Sequence, residues 1–187
     1  LRKLLASHGA EALSDPGLVL QEKKRLVRTV GALSLVEPER SLEDLGGAGE
    51  LKRWLEERTR AFSQEARDFG LPAPRGLLLA GVQGCGKSLA SRAIAAYWSL
   101  PLARLDMGLL MGMPVPEAAL HDVFKVMEAM SPAVLWVDEI EKVLQVQMQG
   151  ASSRILGSFI TWLSEKRSPV FTVATANDVD LLPAELA

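Results

Sequence analysis

The sequence predicts a three-layer α/β sandwich built on a parallel sheet, and three observations carry that prediction. Short apolar runs alternate with helix-forming stretches through most of the chain. The run Val134-Leu135-Trp136-Val137 is apolar throughout, as a strand covered on both faces must be. The side chains with chemical character follow directly after the apolar runs, at the carboxyl ends of the strands, where parallel sheets bind ligands.

Taken in order, residues 1–40 read as helical and connecting sequence, with Pro16 in the first turn of a helix that continues through Arg28. Its cations Lys23, Lys24, Arg25 and Arg28 read as a solvated face, since Glu22 shares the run and no aromatic residue is interleaved. The composition shifts at Ser41-Leu42-Glu43-Asp44-Leu45-Gly46-Gly47, the entry to a main domain over 41–187. A helix is expected from about Gly49 to Phe69, with Leu51, Trp54, Leu55, Phe62 and Phe69 available for its apolar face. The stretch from Gly70 to Gly76 then breaks it. Four strands are expected: Leu77 to Ala80, Leu102 to Leu105, Val134 to Val137, and Val170 to Thr175. Helices from Leu89 to Trp98, Pro116 to Met130 and Ser152 to Lys166 separate them.

The bulk numbers narrow the classes. With 187 residues, 48% hydrophobic and 24% charged, the chain has the composition of a globular domain, not of a disordered or membrane protein. No apolar run is long enough to span a bilayer, and no signal-peptide pattern opens the chain. The 21 basic and 23 acidic residues leave a net charge of −2, so there is no global attraction to nucleic acid. The single cysteine, Cys85, excludes an internal disulfide framework and fits a reducing, cytosol-like compartment. His8 and His121 have no metal-ligand spacing with it or with each other, so no zinc site is expected. The chain opens on Leu1 rather than Met, and Leu181 to Ala187 stop without a terminal element, so part of a longer polypeptide is expected.

The stretch Gly81-Val82-Gln83-Gly84-Cys85-Gly86-Lys87-Ser88 fits the phosphate-binding pattern G-x-x-x-x-G-K-[ST], between a strand and a helix. That setting aims several backbone N–H groups and a helix N-terminus at one point where phosphates can sit. The cofactor-binding residues expected are therefore Gly81, Gln83, Gly84, Cys85, Gly86, Lys87, Ser88 and Leu89, in a P-loop NTPase fold. Lys87 supplies a mobile charge for the β- and γ-phosphates of ATP, and the Ser88 hydroxyl can reach Mg²⁺. Cys85 reads as a small side chain tolerated by a tight loop, with a redox role as the alternative.

Two further segments add acids and an amide to the same site. The strand from Val134 to Val137 ends in Asp138 and Glu139. Asp138 suits Mg²⁺, which it would hold through water because this ion keeps much of its hydration. Glu139 suits polarisation of the water that attacks the γ-phosphate. After the fourth strand, the Asn177 amide can donate to a γ-phosphate oxygen and orient that water; the alternative is a turn-forming Asn beside Asp178.

The order of these motifs resembles the AAA+ ATPases, and specifically the AAA clade. Leu45-Gly46-Gly47, Gly81 to Ser88, Val134 to Glu139 and Ala174-Thr175-Ala176-Asn177 carry the likeness. Leu71 to Leu79, Ser131 to Ile140 and Phe159-Ile160-Thr161-Trp162-Leu163 look similar to an AAA subgroup of cyanobacteria and algal plastids. The resemblance implies that Leu45 and Gly46 lie near the adenine, that Asp138 and Glu139 form the Walker B pair, and that Asn177 is sensor 1. It implies a ring, often a hexamer, with ATP between protomers, and a location in the cytoplasm or plastid stroma. It also implies a fifth strand beside Leu77 to Ala80, with the arginine finger, sensor 2 and helical lid beyond Ala187. An isolated fragment ending there is expected to bind ATP weakly and turn it over poorly. Ring translocases of the clade grip substrate with an aromatic residue in the loop after the second strand. Between Met107 and Val123 this chain has Leu109, Leu110, Met111, Gly112, Met113, Pro114 and Pro116 but no aromatic, so core packing, a surface loop and a grip all remain open.

The leading functional expectation is thus a Mg²⁺-dependent ATPase that remodels a protein partner or assembly. The runner-up is a nucleotide-controlled scaffold or regulator with little turnover. A nucleic-acid motor is disfavoured by the balanced charge and the lack of aromatic–basic patches.

Overall fold

The computed structural model describes residues 16–38, 41–145 and 151–178. Leu1, His8 and the chain end from Leu181 to Ala187 lie outside the described residues. Alternation of apolar side chains along β4 (Ala133–Asp138) explains the layers. Ala133, Leu135 and Val137 pack into one core, and Val134 and Trp136 into another on the opposite face. A strand's side chains alternate between faces, so each face of an all-apolar strand needs its own cover. The first core is roofed by α1 (Pro16–Val27), α5 (Met107–Met111), α6 (Pro116–Met130), α7 (Lys142–Gln145) and α8 (Ala151–Glu165), through residues such as Val27, Leu110, Met127, Val143 and Phe159. The second is roofed by α2 (Gly49–Arg58) and α4 (Lys87–Tyr97), through Leu55, Ile94 and Ala95. This is the three-layer sandwich expected.

The sheet has five strands in the order β1-β3-β4-β5-β2. β2 (Gly76–Ala80), β5 (Val170–Ala176), β4 and β3 (Leu102–Asp106) run parallel, while β1 (Leu33–Val36) pairs antiparallel with β3. β1 falls within the stretch expected to be helical and connecting. It is a four-residue edge strand with only Leu33 fully buried, too short for its alternation to register. The extra strand lies at the far edge from β2, which borders the sheet among the described residues.

The single helix expected from Gly49 to Phe69 is instead α2, a 3₁₀ turn (Thr59–Phe62) and α3 (Gln64–Asp68). The Thr59 hydroxyl donates to the Leu55 carbonyl at 3.0 Å, where the α-helical pattern gives way, and Ser63 Oγ accepts from the Ala66 amide. The tighter turn aims Phe62 at Trp98 and Phe171, with ring centroids 4.9 and 6.5 Å away. Phe69, expected on the apolar face, is 83% exposed.

Two details settle how the expected loops and helices pack. Pro116 starts α6, where its missing N–H costs nothing, and Phe124 stacks flat on Trp162 at 4.5 Å to join α6 to α8. After β3, Met107, Leu110 and Met111 are buried and Met113 packs against the same core, while Leu109 and Val115 face solvent. Core packing therefore accounts for those methionines. On α1, Lys24 faces Glu37 at 4.0 Å and Arg25 faces Glu22 at 3.5 Å, so these two exposed cations are ion-paired, while Lys23 is half-buried and burial lowers its pKa. Among the described residues, no helix is long and apolar enough to cross a membrane.

Candidate nucleotide-binding site

The site begins where β2 turns into α4. The loop between them, 81–86, is tied to the neighbouring strand by the Gly81 amide, which donates to the Ala176 carbonyl at 3.2 Å. Gly86 stands at the N-cap of α4 with φ +93°, a left-handed conformation that strongly favours glycine. No side chain caps α4, so the amides of its first turn have no intrahelical acceptor and point out of the loop. A helix N-terminus left open in this way is a site for anions. Lys87 lies folded over the loop, its Nζ donating to the carbonyls of Gly81 (2.6 Å) and Val82 (2.9 Å).

Opposite the loop stand the ends of β4 and β5. Together they enclose a cleft of about 430 Å³ lined by Gln83, Gly84, Gly86, Lys87, Ser88, Leu89, Arg104, Asp138, Glu139, Thr175 and Asn177. Nine of the sequence-predicted residues therefore meet in one place, joined by Arg104 and Thr175, which were not expected. Gly81 and Cys85 belong to the loop without lining the cleft, and Cys85 is exposed. Leu45 is buried against Leu89, Ala90 and Ala93 on the first turns of α4. The exposed Gly46 follows it.

The carboxylates are held by a dense set of contacts. Asp138 Oδ2 accepts from Arg104 Nη2 at 2.7 Å and Nε at 3.2 Å. Its Oδ1 accepts from the Thr175 hydroxyl at 2.9 Å. The same hydroxyl oxygen accepts from the Glu139 amide at 3.1 Å, so one buried side chain positions both acids. Glu139 has φ +52°, a conformation that costs a residue with a Cβ about 1–2 kcal/mol. The turn is pinned there by Thr175, whose own carbonyl also accepts from the Ile140 amide at 2.9 Å.

Glu139 is ion-paired with Lys142, and its Oε1 accepts from Asn177 Nδ2 at 3.2 Å. The hydrogen bond from Lys142 is the chief reason its carboxyl is held below the usual carboxylate range; burial and Asp106 push the other way. Lys142 is raised in turn, mainly by its bond to Glu139. Asn177 is anchored by Glu141, whose Oε1 accepts from the Asn177 amide at 3.0 Å and from Nδ2 at 2.9 Å. Glu141 is 3% exposed, and its Oε2 has no hydrogen-bond partner among the described residues.

Sequence reasoning missed Arg104, Thr175 and Glu141. Arg104 and Asp106 alternate on one face of a strand, Thr175 is a polar residue in an otherwise apolar run, and Glu141 is the third acid of Asp138-Glu139-Ile140-Glu141. Those are the signals by which they could have been found.

The oxygen donors fit Mg²⁺. Ser88 and Asp138 present hard oxygens across one cleft, and among the described residues no cluster of three or more His, Cys, Asp or Glu side chains offers a softer, fully protein-made metal site. A small cation that keeps its waters needs only one or two protein ligands.

The family model for the ATPase family associated with various cellular activities (AAA) matches residues 77–187. The AAA domain-containing protein ycf46 of Guillardia theta is 44% identical to the chain over its whole length, and that of Pyropia yezoensis 41%. The chain covers 38% and 39% of these two relatives, less than two thirds of either. An ATPase family protein 2 homolog of Caenorhabditis elegans is 29% identical over 89% of the chain and 25% of its own length. The phosphate loop, the sheet order and these matches lead to one assignment: the chain belongs to the AAA family of ATPases.

Proposed function

We propose that this chain binds ATP with Mg²⁺ and hydrolyses it, as one subunit of a hexameric ring that remodels a protein partner. The observation that carries the reading is the single cleft in which Lys87, Ser88, Asp138, Glu139 and Asn177 converge. The open N-terminus of α4 and the loop amides would take the phosphates, and Lys87 would exchange its two loop carbonyls for phosphate oxygens. Ser88 and Asp138 would hold Mg²⁺, which supplies charge neutralisation on the β- and γ-phosphates. Glu139 accepts the proton of the attacking water, and its ionised form is favoured by Lys142. The Asn177 amide, steadied by Glu141, would transfer its second N–H from Glu139 to a γ-phosphate oxygen and so orient that water. Leu45, packed on the first turns of α4, and Gly46 beside it would border the adenine.

Ring assembly and a protein substrate rest on the family's general behaviour. Residues 41–187 would carry the motifs of the large ATPase subdomain, and the segment before them adds α1 and β1 to the same core and sheet. The lone cysteine supports a reducing compartment, cytoplasm or plastid stroma. The second reading, a nucleotide-controlled scaffold with little turnover, draws support from Glu139 being held by both Lys142 and Asn177.

Phosphate release from ATP by the protein at its natural length, with and without Glu139→Gln, separates the two. Loss of the base lowers the rate by about a hundredfold or more in the enzyme reading. Equally slow release by both forms would sink that reading and leave the switch.

A further inference from the structure

Arg104 lies outside the loop, base and amide roles just described, yet it makes the closest contact to the carboxylate assigned to the metal. Its position follows from strand register. In the β3–β4 ladder Asp106 faces Asp138 and Arg104 faces Trp136, so Arg104 is the diagonal neighbour of Asp138 on the same side of the sheet. The guanidinium puts two N–H groups on Asp138 Oδ2 and sits 5.2 Å from the Trp136 ring centre, a fixed rather than roaming cation. With Thr175 on Oδ1, both carboxylate oxygens are engaged. The pair is partly sheltered, the Asp138 side chain being 16% exposed, and Arg104 lines the same cleft as Lys87 and Ser88.

We propose that Arg104 is a built-in counter-ion that competes with Mg²⁺ for Asp138, so that the metal–nucleotide complex takes the carboxylate from a guanidinium. The inference rests on the ATP-binding reading given above. A guanidinium cannot shed its charge, so it cannot share one carboxylate oxygen with a hydrated divalent cation without strong repulsion. Two consequences of opposite sign follow. Without metal, Arg104 cancels the charge of Asp138 and spares an incoming polyphosphate that repulsion. With metal, the same contact must first be broken, which raises the Mg²⁺ concentration required. A residue that merely clasped two strands would have neither effect: its loss would weaken binding under both conditions alike.

The test measures ATP binding by calorimetry on the protein at its natural length, first with EDTA and then in a MgCl₂ titration at fixed ATP. Native protein, Arg104→Gln and Arg104→Lys are compared, each checked for native circular dichroism. Arg104→Gln is expected to bind metal-free ATP about three- to tenfold more weakly and to reach half-saturation at about three- to tenfold less Mg²⁺. Arg104→Lys, which keeps a charge but not the two-pronged grip, falls between. Parallel weakening in both conditions, or an unchanged metal requirement in Arg104→Gln, would overturn the proposal while leaving ATP binding by the native protein intact. Failure of the native protein to bind ATP in either condition would overturn the ATP-binding reading and this proposal with it.

Discussion

Replacing Thr175 by valine keeps the shape of a side chain that is 1% exposed and removes only its hydroxyl. That oxygen donates to Asp138 at 2.9 Å and accepts from the Glu139 amide at 3.1 Å. Loss of the hydrogen bond to an ionised partner costs about 2 kcal/mol, and a part-buried amide left without an acceptor costs about 1–2 more. Part of this is recovered. Once unpinned, Glu139 can leave its left-handed conformation, which releases about 1–2 kcal/mol. The net loss is about 2 kcal/mol, a fall in midpoint temperature of about 4–8 °C for a domain of this size. Thermal unfolding followed by circular dichroism reads that shift. Phosphate release should fall at least about tenfold, because the two acids lose their common anchor. Thr175→Ser restores the hydroxyl and should recover most of both quantities. A valine variant that melts within about 1 °C of the native protein, or a serine variant no better than valine, would refute the claim that one hydroxyl positions both carboxylates.

Two other perturbations probe the frame around the site. A Cβ at Gly76 would lie 2.6 Å from the backbone carbonyl oxygen of Thr172 in the adjacent strand, and a backbone atom cannot swing aside. Gly76→Ala should therefore force β2 from β5, cost about 1–3 kcal/mol in urea unfolding and weaken ATP binding through the loop that β2 carries; an unchanged urea midpoint would refute this. Lys166 lies at the opposite end of the sheet, donating to the Val170 carbonyl, with its pKa lowered from 10.5 to about 8, chiefly by burial, then by Arg75, with Glu128 opposing. The folded state releases this proton more readily than the unfolded chain, so the unfolded state binds more protons between about pH 8 and 10.5. Stability should thus rise with pH across that window by about 1–3 kcal/mol, with the burial penalty fully present below it. Lys166→Met should flatten the slope in denaturant titrations at pH 7.5 and 10; an unaltered slope would assign it to other groups.

The order of strands and helices was legible because each layer of the sandwich imposes its own period on the sequence. α6 was read with its observed ends, Pro116 and Met130, since a proline start and a run of buried residues at helical spacing agree there. β1 and the break after Arg58 were not legible, and for related reasons. A four-residue edge strand is stabilised by Leu33, Ser34, Leu35 and Val36 pairing with β3, a non-local ladder with no local signature. The 3₁₀ turn is selected by where Phe62 must go to meet Trp98 and Phe171, both distant in sequence. Tertiary packing outweighs a helical propensity whose per-residue differences are only about half a kcal/mol.

The site divides along the same line. Groups that would touch ATP announce themselves, because a phosphate loop needs glycines in order and a catalytic acid must follow a strand. Groups that touch those groups do not, since their partners are fixed by register. Arg104 meets Asp138 across the β3–β4 ladder, Thr175 meets Asp138 and Glu139 across β4–β5, and Glu141 meets Asn177 after the chain has crossed α8. Every one of these contacts spans more than thirty positions, as the 34 between Arg104 and Asp138 and the 36 between Glu141 and Asn177 illustrate. Yet they decide the chemical state of the cleft. Arg104 sets the charge that a metal would meet at Asp138, Thr175 sets the strained turn at Glu139, and Glu141 fixes which way the Asn177 amide faces. If the proposed ATPase chemistry holds, the same P-loop and acid pair with other neighbours at these three positions would differ in metal requirement and in readiness to accept water's proton. On the proposed reading, the response to metal would reside in the ladder beneath the motif as much as in the motif itself.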